Sequence, residues 1–145
     1  MKFHKKIEKP LGQILVERGV INNSQLQQAL DAQKRGGGLI GEVIVELGFA
    51  KEEDIAYCLS LQFGYPYLSL ENYEISAEII KIIPKNVCGH YCLIPIDKIG
   101  NTLTVAMANP LNVHAIEDLE DITQCDIQIF VSTPSDIRSS IEKFY

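Results

Sequence analysis

Apolar residues in the first third of the chain fall at helical spacing, and they do so twice. Leu11, Ile14 and Leu15 lie three and four apart and mark a short helix to about Arg18, with Pro10 suited to its first turn. Gly19 fits the left-handed position that stops a helix. Asn22 is placed to cap the next helix, and Gln25 completes a capping box. Leu26, Ala29, Leu30 and Gln33 form its inward stripe. The pattern then returns. Leu11-Gly12-x-x-Leu15-Val16-Glu17-x-Gly19 is followed by Ile40-Gly41-x-x-Ile44-Val45-Glu46-x-Gly48, and Leu26, Ala29, Leu30 and Gln33 reappear as Ile55, Cys58, Leu59 and Gln62, every pair 29 residues apart. The second copy predicts helices from Ile40 to Leu47 and from Glu52 to Gln62, with Gly48 as the stop. Its cap is poorer, because Lys51 stands where Asn22 stood. Units this short cannot bury an apolar face alone, so the two copies are expected to pack on each other. A cleft between them would suit a ligand that is itself two-fold symmetric. Arg35-Gly36-Gly37-Gly38 is the hinge between copies.

The pattern changes at Gly64. Tyr65 to Leu70 reads as an extended connection, whose proline excludes a central strand. Ser76 to Ile83 is helical and closed by Pro84, and a short helix covers Asn86 to His90. Cys92 to Asp97 and Leu103 to Ala108 are strands joined at Gly100-Asn101. Val113 to Asp121 is a helix with Val113, Ile116 and Leu119 pointing inward. Ile127 to Val131 is rich in β-formers. A last helix follows Ser132-Thr133-Pro134-Ser135, with Ile137 and Ile141 on one face. The expected fold is α+β: a flexible lead-in over residues 1–9, a tandem helical repeat lobe over 10–63, and a small α/β lobe over 64–145 with a roughly three-stranded sheet covered on one face.

Composition narrows what such a fold can do. The chain has 145 residues, 46% hydrophobic and 22% charged, which fits a globular protein with a real core. Its formal charge of −6 argues against DNA or RNA, since phosphate contacts want a basic stripe. The basic residues concentrate only at the start, in His4, Lys5, Lys6 and Lys9. No apolar run is long enough to span a membrane and no signal peptide is visible, so the chain reads as cytoplasmic, reaching a membrane only through partners. Cys58, Cys88, Cys92 and Cys125 are then expected as buried thiols. Cys88-Gly-His90-Tyr-Cys92 lacks the matching second pair of a zinc site, and His90 reads as a helix-end residue.

No catalytic constellation is present: no phosphate loop, no His-Glu-x-x-His, no Gly-x-Ser-x-Gly. Glu17 and Glu46 occupy equivalent positions on short helices and are expected to face water. The best binding candidates are the helix starts Leu11-Gly12 and Ile40-Gly41, where backbone N–H groups are free. There Gly12 and Gly41 serve either the close approach of an anion or tight packing between copies. Gln33 and Gln62 either read a ligand edge with their amides or satisfy the turn joining the helices.

These motifs carry a family resemblance. The pattern Leu-Gly-x2-Leu-Val-x2-Gly-x-Ile-x4-Leu-x2-Ala-Leu-x2-Gln resembles the N-terminal domain of type II secretion and type IV pilus assembly ATPases. In a subset, called MshEN domains, two such motifs bind cyclic di-GMP. The resemblance runs on through Gln62-Phe-Gly-Tyr-Pro66-Tyr67, Leu103-Thr-Val-Ala106-Met-Ala-Asn109-Pro110-Leu111 and Ser135-Asp136-Ile137 to Phe144-Tyr145. It implies a first motif of Leu11, Gly12, Leu15, Val16, Gly19, Leu26, Leu30 and Gln33. The implied second motif is Ile40, Gly41, Ile44, Val45, Gly48, Ile55, Leu59 and Gln62. The ligand-binding subset has an arginine before the first Leu-Gly. Pro10 stands there, with neither charge nor donor, and Lys9 beside it or Arg35 offers the nearest substitute. The resemblance implies a non-enzymatic regulatory domain with cyclic di-GMP as its ligand, no cofactor and no metal, serving a secretion or pilus ATPase module. The alternative is a structural docking domain for an inner-membrane platform protein. The phosphate loop of the family's ATPase half is not in this chain, so no ATP hydrolysis by that route is expected.

Overall fold

A computed structural model describes residues 9–145. The lead-in before Lys9, with His4, Lys5 and Lys6, lies outside the described residues. Four helices form the repeat: α1 (Leu11–Glu17), α2 (Asn23–Gly36), α3 (Ile40–Glu46) and α4 (Glu52–Phe63). Pro10 is the N-cap of α1 rather than its first helical residue. Its carbonyl accepts from the N–H groups of Gln13 and Ile14, at 3.1 and 3.2 Å.

Both short helices end in the same way. Gly19 and Gly48 take φ of 76° and 77°. Val20 and Phe49 then donate back to the carbonyls of Leu15 and Ile44, at 3.0 and 3.1 Å, while the glycine N–H groups reach Val16 and Val45. This closure satisfies carbonyls the helix would leave open, and it needs a residue without a Cβ at the left-handed position. Asn22 and Gln25 form the expected reciprocal box, at 2.8 and 3.0 Å. At α4 only half of it survives. The Asp54 carboxylate accepts from the Lys51 N–H at 3.1 Å, but an ammonium has no lone pair to return.

The repeat has its own core. Leu11, Ile14, Leu15, Ile21 and Ala29 meet Val43, Ile44, Ile55 and Cys58, and Leu15 and its counterpart Ile44 are fully buried.

The second half contains α5 (Ala77–Ile80), α6 (Lys85–Tyr91), β1 (Leu93–Ile99), β2 (Thr102–Met107), α7 (Val113–Thr123), β3 (Asp126–Val131) and α8 (Pro134–Phe144). The helix predicted over 76–83 is only four residues long, and the chain passes through a turn in which Ile82 donates to the Ile79 carbonyl at 3.1 Å before Pro84. The three strands lie in the order β1-β2-β3. β1 pairs antiparallel to β2 with an irregularity between Pro95 and Asp97, as an edge strand carrying proline can. β3 pairs parallel to β2, which requires the α7 crossover. Leu103, Val105, Met107 and Ile129 are buried from one sheet face against Leu93, Ile83, Leu119 and Ile137. On the other face the Thr104 hydroxyl donates to the Gln128 amide oxygen at 3.2 Å.

Val113 corrects the sequence expectation. It is 58% exposed, and Ala115 and Leu119 are the buried residues of α7. Asn112 is the cap, its side chain accepting from the Ala115 N–H, and this sets the helix phase so that Val113 turns outward.

The connection after Gly64 lies along β3. Leu68 donates to Val131 at 2.9 Å and Val131 to Pro66 at 2.8 Å. Helix α4 also packs on β3, and the Ser135 hydroxyl meets the Glu52 carboxylate. At the other end of the chain, Tyr145 donates from its phenol to the Ile83 carbonyl at 2.8 Å and sits 3.2 Å from the Cys88 thiol. Burial first, and then the thiol, push its ionisation up, so the phenol stays protonated. Tyr145→Phe is expected to cost about 0.5–1.5 kcal/mol, the value of one such bond, read as a lower thermal midpoint. An unchanged midpoint would show that the ring alone anchors this end.

Candidate functional site

A cleft of about 660 Å3 opens between the second helical copy and the α/β lobe. That is within the range for small-ligand sites, about 300–1,000 Å3. From the predicted set, Pro10, Leu11, Ile40, Gly41, Val45, Ile55, Leu59 and Gln62 line it. Leu39, the N-cap of α3, joins them at 45% exposure. The opposite wall comes from the α/β lobe through Tyr91, Asn109, Leu111, Asn112, Ser132 and Arg138.

The remaining predicted residues stand elsewhere. Leu15 and Ile44 are sealed in the repeat core. Gly12, Val16, Gly19, Leu26, Leu30, Gln33 and Gly48 do not line the cleft, nor do Lys9 and Arg35. The two copies therefore contribute unequally. The second copy faces the α/β lobe, and the first reaches the cleft through Pro10 and Leu11.

Gly12 and Gly41 lie against side chains of their own copy. A Cβ on Gly12 would stand 2.6 Å from Leu26 Cδ1, and one on Gly41 would stand 2.7 Å from Ile55 Cγ2 and 3.3 Å from Leu11 Cδ2. The glycines let α1 approach α2 and α3 approach α4. The copies themselves pack on each other as expected, with α2 against α3 and α1 against α4 and α3, around one shared core.

The two glutamines hold backbone. Gln33 donates from Nε2 to the Gly38 carbonyl at 3.0 Å, and Gln62 donates to the Lys9 carbonyl at 3.0 Å. Lys9 and Gly38 are themselves 29 residues apart. Each glutamine therefore fixes the backbone leading into the other copy's short helix. For Gln33 that backbone is the local turn; for Gln62 it lies 53 residues away.

Charge separates the copies further. Lys9 is held by Glu17 at 2.9 Å. Gly38 occupies the equivalent of Lys9, so Glu46 has no such partner in the second copy. Glu42 and Glu52 replace Gln13 and Asn23. The cleft thus carries Glu42, Glu46 and Glu52 on one wall and Arg138 on the other. Arg18, whose guanidinium lies 5.1 Å from the Tyr57 ring centroid, is engaged elsewhere. Arg138, Asn109 and Asn112 are not among the motif residues expected at the site. They belong to no repeat, and only the fold brings them to the motif.

Burial raises the ionisation of the Cys58, Cys88 and Cys92 thiols. In Cys92 the Arg138 charge opposes burial without overcoming it. Among the described residues no group of three His, Cys, Asp or Glu side chains is arranged to hold a metal ion. Among the same residues no helix is long and apolar enough to cross a membrane.

The architecture is that of a two-part α+β module with a ligand-sized cleft. Residues 63–145 match the MshEN domain. The chain is 34% identical over 135 residues to the type IV pilus assembly ATPase PilB of Myxococcus xanthus (strain DK1622), covering 93% of the chain and 24% of that protein. It superposes on the structure of MshE with cdg, cyclic di-GMP, at a TM-score of 0.83 and 27% identity, covering 94% of the chain and 99% of the other. The N-terminal domain of XpsE shares the fold at a TM-score of 0.77 and 20% identity, with 97% of each chain covered. The chain belongs to the MshEN domain family. It spans about a quarter of the length of the Myxococcus relative.

Proposed function

We propose that this domain binds cyclic di-GMP in the cleft between its second helical copy and its α/β lobe, and regulates a type IV pilus or type II secretion ATPase in response. The observation that carries the reading is the convergence of motif residues from both copies, Leu11 with Ile40, Gly41 and Leu59, on one cleft of ligand size. Support comes from the similarity to MshE, whose structure was determined with cyclic di-GMP.

The chemistry fits. Leu11, Leu39, Ile40, Val45 and Leu59 offer apolar surface for the faces of guanines. Glu42 and Glu46 can accept from the N–H donors on a guanine edge, and Asn109 and Asn112 supply amides. Arg138 is the guanidinium at the cleft for a phosphate, in a role that neither Lys9 nor Arg35 is placed to fill. Binding would fix the α/β lobe against the repeat and shift the population toward one arrangement.

Calorimetric titration with cyclic di-GMP tests this. One ligand per chain is expected, and Arg138→Ala is expected to weaken binding about tenfold, the loss of one charge-assisted contact. Equal affinity in native chain and variant would remove Arg138 from the site.

A second reading is favoured by Leu39 and Leu111, which are 45% and 53% exposed at the cleft. An apolar pair beside carboxylates also suits a protein partner, such as an inner-membrane platform protein. On that reading the domain is a docking module and the titration is silent.

A further inference from the structure

The wall that the α/β lobe gives the cleft carries two aromatic rings, His90 and Tyr91, at the end of α6. Cys92 follows at φ 53° and ψ 64°, a left-handed conformation that a residue with a Cβ adopts rarely. Its N–H bonds the Cys88 carbonyl, closing the helix where the chain turns into β1. Tyr91 is half-buried, packing in part against the lobe core and in part bordering the cleft. Its phenol donates to the carboxylate of Asp118 on α7, a residue that does not line the cleft. The ring is thus held at its polar tip from outside the site. That bond, more than burial, pushes the ionisation of the phenol up, so it remains a donor. The His90 ring stands 4.6 Å away at 70°, and an edge-to-face neighbour covers at most one face of a ring. Across the cleft stand the aliphatic side chains of Leu39, Ile40 and Leu59. A flat ring held in place opposite an aliphatic wall suits a flat aromatic occupant.

We propose that Tyr91 is a base-stacking platform. One purine of the ligand lies between its ring and the wall of Leu39, Ile40 and Leu59, and Asp118 is the positioning residue that holds the ring. The assignment rests on the ligand reading above. It gives the two bases of a symmetric ligand unequal seats, because among the described residues the first copy brings no aromatic side chain to the cleft. Stacking uses the face of a base and tolerates any base, so the choice of guanine falls to the edge donors that face Glu42 and Glu46.

The test is titration of the full chain and its variants with cyclic di-GMP. Calorimetry on Tyr91→Ala is expected to show a loss of about five- to a hundred-fold in affinity, the value of stacking on one base. The chain has no tryptophan, so Tyr91→Trp places a single indole at the platform. That variant is expected to keep affinity close to native, and its fluorescence is expected to be quenched saturably by the ligand. Asp118→Asn retains an acceptor for the phenol and should bind like the native chain. Asp118→Ala and Tyr91→Phe, which free the ring, should lose affinity by smaller and similar factors. The Tyr91–Asp118 bond is exposed, so the thermal midpoints of these last three variants should stay near native. Affinity losses that merely follow a falling midpoint would make Tyr91 a structural residue and overturn the platform. Native affinity in Tyr91→Ala, or an indole whose emission is unchanged at saturating ligand, would overturn it while leaving cyclic di-GMP binding in the cleft intact. No binding by the native chain would overturn the ligand reading and the platform with it.

Discussion

Pro10→Arg is expected to raise the affinity of the domain for cyclic di-GMP, the proposed ligand, by about ten- to a hundred-fold. The size follows from a charge-assisted hydrogen bond worth about 1.5–3 kcal/mol. The direction follows from position. Pro10 lines the cleft, so a side chain grown there starts inside the site. The backbone accepts the change: Pro10 is the N-cap of α1 at φ −59° and ψ 149°, which any residue adopts. Its carbonyl still takes the Gln13 and Ile14 N–H groups. Lys9 does not already do this work, because its ammonium is committed to Glu17. The guanidinium would enter opposite Arg138, giving a dianionic ligand a cation on each side. Paired calorimetric titrations of native chain and variant read the ratio. A ratio near one would mean that the ligand, if bound, has its phosphates elsewhere.

Gly41→Ala is expected to destabilise the fold by about 1–3 kcal/mol through overpacking, partly offset by about 1 kcal/mol of helix propensity. Gly12→Ala is expected to be close to neutral. The two positions are equivalent in the repeat, so the contrast isolates the physics. At Gly12 the new methyl meets the far end of Leu26, a flexible side chain that is only half-buried and can rotate away. At Gly41 it meets the branch methyl of buried Ile55, fixed one bond from its Cβ, with Leu11 closing the other side. Thermal unfolding of both variants decides it. Equal losses would show that both helix pairs pack with the same rigidity. Gly41→Ala would also push on two residues of the cleft wall, so weaker ligand binding should accompany the lower midpoint.

The repeat was legible because its chemistry is local. Gly19, Gly48 and the Asn22–Gln25 box announce helix ends by residue type alone, and the 29-residue offset needs no structure to be seen. Strand positions around Gly100-Asn101 were legible for the same reason. What the sequence did not show depends on contacts distant along the chain. The bond from Gln62 to Lys9 spans 53 residues. The parallel pairing of β2 with β3 follows from an α7 crossover. Val113 points outward because Asn112, one residue earlier, sets the start of α7. The cleft was the largest surprise in kind. The symmetry of the motif suggested a site shared equally by both copies, whereas the α/β lobe covers one copy and supplies Arg138, Asn109 and Asn112 from segments that share no pattern with the repeat. The charge difference between copies was visible in sequence, as Gln13 against Glu42 and Asn23 against Glu52. It acquires meaning only once the second copy is seen to face a cleft.

The most direct test of the cleft as the ligand site is an amide NMR titration of the native chain with cyclic di-GMP. The account predicts saturable shifts concentrated at Leu11, Ile40, Gly41, Leu59, Asn109 and Arg138, on both walls at once. Saturable shifts confined to Val16, Leu26, Leu30 and Gln33 would place the ligand on the first copy's outer face instead, and the absence of any shift would leave a docking module.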